Sequence, residues 1–198
     1  MHILFLGPAC PSIEACFSEK GHTVIRTEET LSCVWIREQR FDFGLSYRYK
    51  KIIRKDVIDY FAGKLINMHI SFLPWNRGSD PNFWSYIEGT PKGVTIHRVD
   101  AGIDTGDILL QEEVPVDLET DTLRTSYDKL SLAIEKLFIS NVNVLLNNNI
   151  IPQKQSGDGS FHLLEDKNKF LSQLEKQWWD TPVREVYRWA RFIQRDNL

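Results

Sequence analysis

The chain has little cysteine and no excess of positive charge. Its 198 residues include only Cys10, Cys16 and Cys33, an odd number without the close spacing of metal sites or disulfide frameworks. We interpret these cysteines as reduced thiols and expect a cytoplasmic protein. The formal net charge of -3 and the sequence pI of about 6.0 offer no basic surface for a polyanion, so we expect no nucleic acid among the partners.

Long apolar runs are also missing. No stretch approaches the ~18 consecutive apolar residues that a membrane helix requires. The opening run Met1–Pro8 is too short for a secretory signal and lacks its basic residues, so we expect neither a membrane segment nor a leader. With 42% hydrophobic residues the chain can nevertheless build a sizeable core, and its length suits one domain with a short appendage.

Short strand-like and helical patterns alternate along the first two thirds of the chain. The apolar runs predict strands at residues 3–6, 23–25, 41–45, 65–69, 93–99 and 107–114. Helical spacing falls at residues 12–20, 31–40, 56–61, 82–88 and, longest of all, 120–147. Alternation of this kind predicts an α/β fold with a doubly wound, mostly parallel, Rossmann-like sheet.

The composition changes after the long helical pattern. A flexible turn at residues 156–160 precedes two short helical patterns, one at Phe170, Leu171 and Leu174 and the other from Thr181. We predict a catalytic domain over residues 1–150 and a short helical extension over residues 151–198. The extension is rich in tryptophan (Trp178, Trp179 and Trp189), and these side chains either form its own core or the seam of a homodimer.

Three polar residues stand where a parallel sheet places its ligands, beyond the carboxyl ends of the strands. Asn67 and His69 end a predicted strand and, being two residues apart, face the same side. Asp104 lies in the acidic, glycine-containing loop after the next strand. An amide can donate to a developing oxyanion, a histidine can donate or move a proton near neutral pH, and a carboxylate can orient the histidine. The set suits acyl transfer to an amine.

Each of the three residues also has an ordinary structural interpretation. Asn67 can close a turn at a strand end, His69 can be a buried structural histidine, and Asp104–Asp107 can form a hairpin turn. The residue types and their spacing therefore leave the chemical interpretation open.

Two runs carry a specific family resemblance, Asn67–Pro74 (NMHISFLP) and Gly102–Ile108 (GIDTGDI). They closely resemble the folate-dependent formyltransferases, a family with glycinamide ribonucleotide, methionyl-tRNA and sugar-nucleotide members. The likeness spans about residues 41–115. It implies that Asn67, His69 and Asp104 are the catalytic residues and that N10-formyltetrahydrofolate is the formyl donor. The asparagine comes earlier than in most members, so we expect a compressed amino-terminal half.

The resemblance also implies where the two substrates bind. The donor is expected between two loops, with the residues Ser46, Tyr47, Arg48, Tyr49, Val99, Asp100 and Gly102 as candidates. The turn Pro74–Gly78 and the run Gly159–His162 are similar to those of sugar N-formyltransferases. The expected acceptor is therefore a nucleotide-linked amino deoxysugar of surface-polysaccharide (lipopolysaccharide) biosynthesis. Arg77 is a candidate for its phosphates or sugar and Trp75 for a stacking surface.

Three alternatives stay open. The acceptor can be another amine such as glycinamide ribonucleotide, although enzymes acting on that substrate usually lack such an aromatic tail. Enzymes acting on methionyl-tRNA carry a large basic carboxy-terminal domain, which we do not expect here. A formyltetrahydrofolate hydrolase would use the same three residues with water as acceptor. A non-catalytic folate- or nucleotide-binding module is the third possibility. Because His97 and His162 lack ligand spacing, we predict no metal.

Overall fold

One mixed sheet organises the fold. The computed structural model describes residues 1–170 and 178–196. The strands of this sheet are β1 (His2–Leu6), β2 (Thr23–Thr27), β3 (Phe43–Tyr47), β4 (Leu65–His69), β6 (Gly93–Arg98) and β7 (Ile108–Glu113), in the order β2-β1-β3-β4-β6-β7. Two further strands, β5 (Arg77–Gly78) and β8 (Phe161–His162), form a separate parallel pair.

Helices connect most of these strands. They are α1 (Pro11–Glu19), α2 (Cys33–Gln39), α3 (Lys55–Phe61), α4 (Pro81–Ile87), α5 (Leu123–Leu146) and α6 (Val183–Asp196), with 3-10 turns at Leu164–Phe170 and Trp178–Asp180. Both α1 and α4 begin with proline, whose fixed φ suits the first helical turn. Among the described residues, no helix combines the length and the apolar character needed to cross a membrane.

The amino-terminal part of the sheet is parallel, which confirms the predicted α/β architecture. Strand β1 pairs with β2 on one side and β3 on the other, and β3 pairs with β4, all in parallel. Residues 3–6 are completely buried, as expected for a central strand of a parallel sheet. The pairing then changes direction, because β4 and β6 are antiparallel. The reversal lies beside the strand that carries Asn67 and His69.

The turn after β1 requires glycine. Gly7 has a φ of +133°, and a Cβ atom there would lie 1.9 Å from the carbonyl oxygen of Tyr47. The main chain at the end of β1 therefore approaches the end of β3 more closely than any side chain would permit. This close approach fixes the spacing between the segments that leave the sheet after β1 and after β3.

Contacts divide the described chain into two compact units. The first comprises residues 1–69, 95–110 and 134–155, and the second comprises residues 70–94, 111–133 and 156–198. In the first unit, α2 and α3 cover β1 with an apolar cluster that includes Leu4, Leu6, Ile36, Val57 and Phe61. The predicted division into domains at residues 150 and 151 is a different partition and stays a prediction.

The second unit has an aromatic core. Phe83, Trp84 and Tyr86 of α4 pack with Val183 and Val186 of α6. Three tryptophans of the extension, Trp178, Trp179 and Trp189, are partly buried against the same cluster. The predicted helical appendage is thus present, and a homodimer seam stays a prediction. Residues 171 and 174 of the predicted pattern at Phe170, Leu171 and Leu174 lie outside the described residues.

Candidate active site

Strand β4 positions two of the three predicted residues. Asn67 and His69 are two residues apart on β4 and therefore project from one face of the sheet. Register places Ser46 of β3 beside Asn67 on one side, and His97 of β6 opposite Asn67 on the other. These residues form a polar row across three strands, at the point where β4 changes from parallel to antiparallel pairing.

The loop after β6 brings Asp104 to this row. Asn67 Nδ2 donates to Asp104 Oδ1 at 3.1 Å, and His69 Nδ1 lies 3.6 Å from Asp104 Oδ2. Asp104 has a φ of +54°, a left-handed conformation that costs a non-glycine residue about 1 kcal/mol and persists only where the surroundings impose it. The structure therefore brings Asn67, His69 and Asp104 together, within the first unit, as the sequence predicts.

A fourth residue, His97, belongs to the same cluster. Its Nε2 lies 3.2 Å from Asn67 Nδ2 and 3.3 Å from Asp104 Oδ1, and its side chain is almost fully buried. From the sequence, His97 was considered only as a metal ligand, and its place beside Asn67 was not predicted. The alternation of β6 places His97 on a defined face, but only the antiparallel register with β4 shows that this face carries Asn67.

The hydrogen-bond partners show which atoms of Asn67 and His97 are donors. A carboxylate only accepts, so the atom of Asn67 that faces Asp104 is its NH2 group. The Nδ1 atom of His97 lies 2.8 Å from the carbonyl oxygen of Arg98, so Nδ1 carries a proton. In the neutral ring Nε2 then accepts from Asn67 Nδ2. Asn67 Nδ2, His97 Nε2 and Asp104 Oδ1 lie 3.1 to 3.3 Å from one another, so both partners approach the Asn67 amide from nearly the same direction.

Burial strengthens the electrostatics of the cluster. The side chains of His69 and Asp104 are 9% and 13% exposed, so one carboxylate faces two imidazole rings with little screening by water. The rings of His69 and His97 are 6.4 Å apart and nearly perpendicular. His69 turns Nδ1 toward the carboxylate, which leaves Nε2 as the ring nitrogen turned away from Asp104. Such a set can donate to a carbonyl oxygen and move a proton.

The first predicted donor segment is partly strand rather than loop. Strand β3 extends to Tyr47, so Ser46 and Tyr47 are buried strand residues, a correction to the predicted strand end at residue 45. The Tyr47 hydroxyl donates to Glu135 Oε1 at 3.2 Å, and the Arg48 guanidinium lies 4.6 Å from the Tyr47 ring centroid. Tyr49 is half-buried and donates to the Glu29 carbonyl oxygen at 2.6 Å.

The second predicted donor segment follows β6. The Val99 amide donates to the Leu65 carbonyl oxygen at 2.9 Å, which continues the pairing with β4. Asp100 Oδ1 accepts from the Gly102 amide at 3.1 Å and from the Thr105 hydroxyl at 2.7 Å. A Cβ at Gly102 would lie 2.1 Å from that hydroxyl oxygen. This tight turn leads directly into Asp104, and all of these residues lie in the first unit.

The predicted acceptor residues lie in the second unit. Trp75 is half-buried, with its ring stacked on Phe72 at 6.5 Å. Arg77 is half-buried in β5, and its amide donates to the Ser160 carbonyl oxygen at 3.0 Å. A hydrogen-bonded group holds this turn in place. Glu88 accepts from the side chains of Asn76, Ser160 and His162.

The described residues contain no group of three or more histidine, cysteine, aspartate or glutamate side chains arranged to hold a metal ion. His162 instead contacts an aromatic ring and a carboxylate. Its ring stacks on Trp84 at 3.8 Å, and its Nε2 lies 2.6 Å from Glu88 Oε1. This structural role of His162 was not predicted from the sequence, because the contact with Glu88 depends on pairing between β5 and β8.

Comparison with known proteins identifies the fold and the family. The family model described as formyl transferase matches residues 17–142, well over half of the chain. The formyltransferase PseJ from Anoxybacillus kamchatkensis has 41% sequence identity and a TM-score of 0.89, with 94% of this chain and 97% of that chain covered. PseJ was solved in complex with UDP-4,6-dideoxy-4-formamido-L-AltNAc and tetrahydrofolate.

Curated relatives extend the comparison. Methionyl-tRNA formyltransferase from Geobacillus sp. (strain WCH70) is 34% identical over 151 residues, which are 76% of this chain and 46% of that protein. The enzyme of the same name from Thermodesulfovibrio yellowstonii is 31% identical over 153 residues, 76% of this chain and 47% of that protein. The chain thus spans about half the length of the curated relatives that it matches.

Proposed function

Because the chain belongs to the formyl transferase family, we propose that it transfers a formyl group from N10-formyltetrahydrofolate to the amino group of a nucleotide-linked amino deoxysugar. The observation that carries the choice of acceptor is the likeness to PseJ, at 41% identity over nearly the whole of both chains. The UDP-linked sugar in the PseJ complex carries a 4-formamido group. The acceptor proposed here is therefore the corresponding UDP-linked 4-amino-4,6-dideoxy sugar.

The reaction makes one bond and breaks one. The sugar amine attacks the formyl carbon, negative charge develops on the formyl oxygen, and the bond from that carbon to N10 breaks. The amine loses a proton and N10 gains one, so no oxidant or further reactant is needed. The protein must therefore stabilise one oxygen and carry one proton, the two tasks for which a buried amide and a histidine beside a carboxylate are suited.

The residues of the cluster divide these tasks. Asn67 donates to the formyl oxygen through its side-chain amide, which the contacts of Nδ2 with His97 and Asp104 hold in place. His69 donates to the same oxygen or takes the proton of the amine through Nε2. Asp104 orients His69, with 3.6 Å between Asp104 Oδ2 and His69 Nδ1.

The two proposed donor-binding segments offer main-chain groups that suit a folate-type donor. The donor supplies an electrophilic formyl carbon and a nitrogen leaving group. The main chain from Val99 to Gly102 follows directly from β6, and its tight turn leaves no space for a side chain at Gly102. Ser46 lies in the same row as Asn67 on the adjacent strand. We propose that Ser46–Tyr49 and Val99–Gly102 bind the pterin through main-chain groups.

The acceptor residues are proposed on chemical grounds. Arg77 provides a planar cation suited to phosphate oxygens, and Trp75 provides an aromatic surface suited to a sugar or base. Both are half-buried on the turn that Glu88 holds in place through Asn76.

The test is a transfer assay with the purified chain. N10-formyltetrahydrofolate is incubated with the UDP-linked 4-amino sugar, and mass spectrometry follows the gain of one formyl group. Asn67→Ala and His69→Ala should lower the rate by at least about 10²-fold while tetrahydrofolate still binds in calorimetry. Asn143→Ala, at an exposed position of α5, is the matched control and should retain full activity. Normal turnover in the first two variants would refute the assignment.

A second acceptor has its own support. The curated relatives named above act, by their names, on methionyl-tRNA, although this chain spans only about half their length. Methionyl-tRNA and glycinamide ribonucleotide therefore enter the assay as competing acceptors. Release of formate at one rate with and without any amine would indicate the hydrolase instead.

A further inference from the structure

The segment after α5 pairs with the first residue of β7, shortly after the loop that carries Asp104. Gln153 and Ile108 exchange two main-chain hydrogen bonds, each of 2.8 Å. Lys154 Nζ lies 3.0 Å from Asp107 Oδ1, but its side chain is 88% exposed, so this ion pair contributes little. The pairing nevertheless sets the direction of the segment and places the next residue, Gln155, beside the turn.

Gln155 uses its side-chain amide on two carbonyl groups of that turn. Its Nε2 donates to the carbonyl oxygen of Asp104 at 2.7 Å and to that of Gly106 at 2.9 Å. A primary amide has two N–H groups, and here each has an acceptor. The two carbonyls flank Thr105, so one side chain closes the turn across three residues.

The turn needs such a support. Asp104 is left-handed, with a φ of +54°, although it has a side chain. A Cβ at Gly106 would lie 1.8 Å from the Arg98 carbonyl oxygen, so the main chain passes directly against β6 at that point. A carboxylate on a strained turn keeps its direction only if both ends of the turn are held.

We propose that Gln155 is a positioning residue for the reaction, which holds the Asp104 carboxylate toward Asn67 and His69. The inference rests on the proposed function, because it gives Gln155 a role through Asp104. The connection is continuous: Gln155 holds the main chain of Asp104, whose carboxylate is 3.1 Å from Asn67 Nδ2 and 3.6 Å from His69 Nδ1. A shift of about 1 Å in a catalytic group can cost 10²-fold in rate.

The matched variants are Gln155→Met and Gln153→Met. Methionine has the length of glutamine without its donors, and the Gln153 side chain is exposed while its main-chain pairing is retained. Gln155→Met should lower kcat about 10- to 100-fold and leave both KM values within about twofold, because substrate contacts are unchanged. Gln153→Met should match the wild type. An unchanged kcat in Gln155→Met, or equal losses in both variants, would overturn the proposal.

A double-mutant cycle separates positioning from general stability. If Gln155 acts through Asp104, Gln155→Met should have little further effect on kcat in an Asp104→Asn background. Losses of kcat that multiply independently in the double variant would contradict an action of Gln155 through Asp104. If Gln155→Met does not fold, Gln155→Ala serves instead, because it removes both donors without placing a charge beside the two carbonyl oxygens.

Hydrogen exchange gives a readout that does not depend on turnover. Amides of residues 103–107 should exchange faster in Gln155→Met than in Gln153→Met, by a larger factor than amides of the central strands. Unchanged exchange would show that Gln155 does not hold the Asp104 turn. If the wild type transferred no formyl group while exchange behaved as expected, the proposed function would fail. The support of the Asp104 turn by Gln155 would then stand as a structural finding.

Discussion

His97 lies opposite Asn67 across the antiparallel strands β4 and β6, with 3.2 Å between His97 Nε2 and Asn67 Nδ2. The other ring nitrogen donates to the Arg98 carbonyl oxygen at 2.8 Å. One buried imidazole therefore fixes the Asn67 amide through a single acceptor atom, and it is itself fixed by the main chain. The contributions of these two hydrogen bonds of His97 can be tested separately.

Two substitutions at His97 distinguish those bonds. Glutamine places a polar atom near the position of Nε2 and can still accept from Asn67, whereas asparagine reproduces only Nδ1. We expect kcat of His97→Gln to stay within about tenfold of the wild type, and that of His97→Asn to fall about a further tenfold, because a buried donor then loses its acceptor. Steady-state kinetics measures both. Greater activity in His97→Asn would show that the Arg98 contact dominates.

The acceptor site is tested at Arg77. If its guanidinium binds the phosphates, Arg77→Ala should raise KM for the nucleotide sugar about 10- to 100-fold, the value of a lost charge-assisted hydrogen bond. KM for the folate donor should not change. Arg184→Ala, on exposed surface of the same unit, is the control. Equal KM values in the two variants would remove Arg77 from the acceptor site.

Glu88 should stabilise the turn in a pH-dependent manner. Burial raises the pKa of the Glu88 carboxyl, but hydrogen bonds from His162, Ser160 and Asn76 outweigh it and lower the pKa below its usual 4.5. A depressed carboxyl pKa contributes stability above the unfolded value and loses it as pH falls through the folded value.

Substitution exposes that contribution. Glu88→Gln should reduce the free energy of unfolding by about 1 to 3 kcal/mol at pH 7, because buried partners lose a charged acceptor. The difference from wild type should shrink as pH falls below 4.5. Urea unfolding at pH 7, 5 and 3.5 measures it, with the exposed Glu185→Gln as control. A difference that did not vary with pH would contradict the ionised form.

Lys92 should affect the pH dependence of stability at high pH, whereas Glu88 affects it at low pH. Its Nζ donates to the carbonyl oxygens of Ser85 and Thr90, and burial lowers the pKa of the Lys92 ammonium from 10.5 to about 8. Below the folded pKa the folded chain carries a buried charge at a cost, and this cost disappears as pH rises from the folded toward the unfolded pKa.

Removal of the charge should therefore change the pH dependence of stability. The stability of Lys92→Met relative to wild type should fall by about 1 to 2 kcal/mol between pH 7 and pH 9.5. Any constant offset reports the other contacts of the lost ammonium, namely the two hydrogen bonds and the contact with the Tyr86 ring. The control is Lys50→Met, at an exposed position. If both variants showed the same slope, the buried charge would carry no such cost.

The sequence predicted the features of this fold that depend on local pattern. Apolar runs located β1 and β4, and a spacing of two placed Asn67 and His69 on one face. Motif likeness identified the loop of Asp104. Each of these inferences needs only the chain within a few residues, where strand periodicity and turn chemistry decide the conformation.

Features set by long-range pairing were not predictable in this way. His97 enters the cluster only because β6 runs antiparallel to β4, and the local pattern of β6 is the same in either direction. Gln155 reaches the Asp104 turn through pairing between residues 108 and 153. The end of β3 was misjudged for a related reason: the fully buried Ser46 and Tyr47 have polar atoms that a sequence pattern assigns to a loop.

The bridge between Ile108 and Gln153 also has a consequence for the order in which the molecule is made. Synthesis proceeds from the amino terminus, so β4 and β6 are complete long before Gln155 is added. Until then the turn at Asp104 has neither of the hydrogen bonds that Gln155 donates to it. A nascent chain that ends within α5 can pair its strands and still lack the last support of the Asp104 turn.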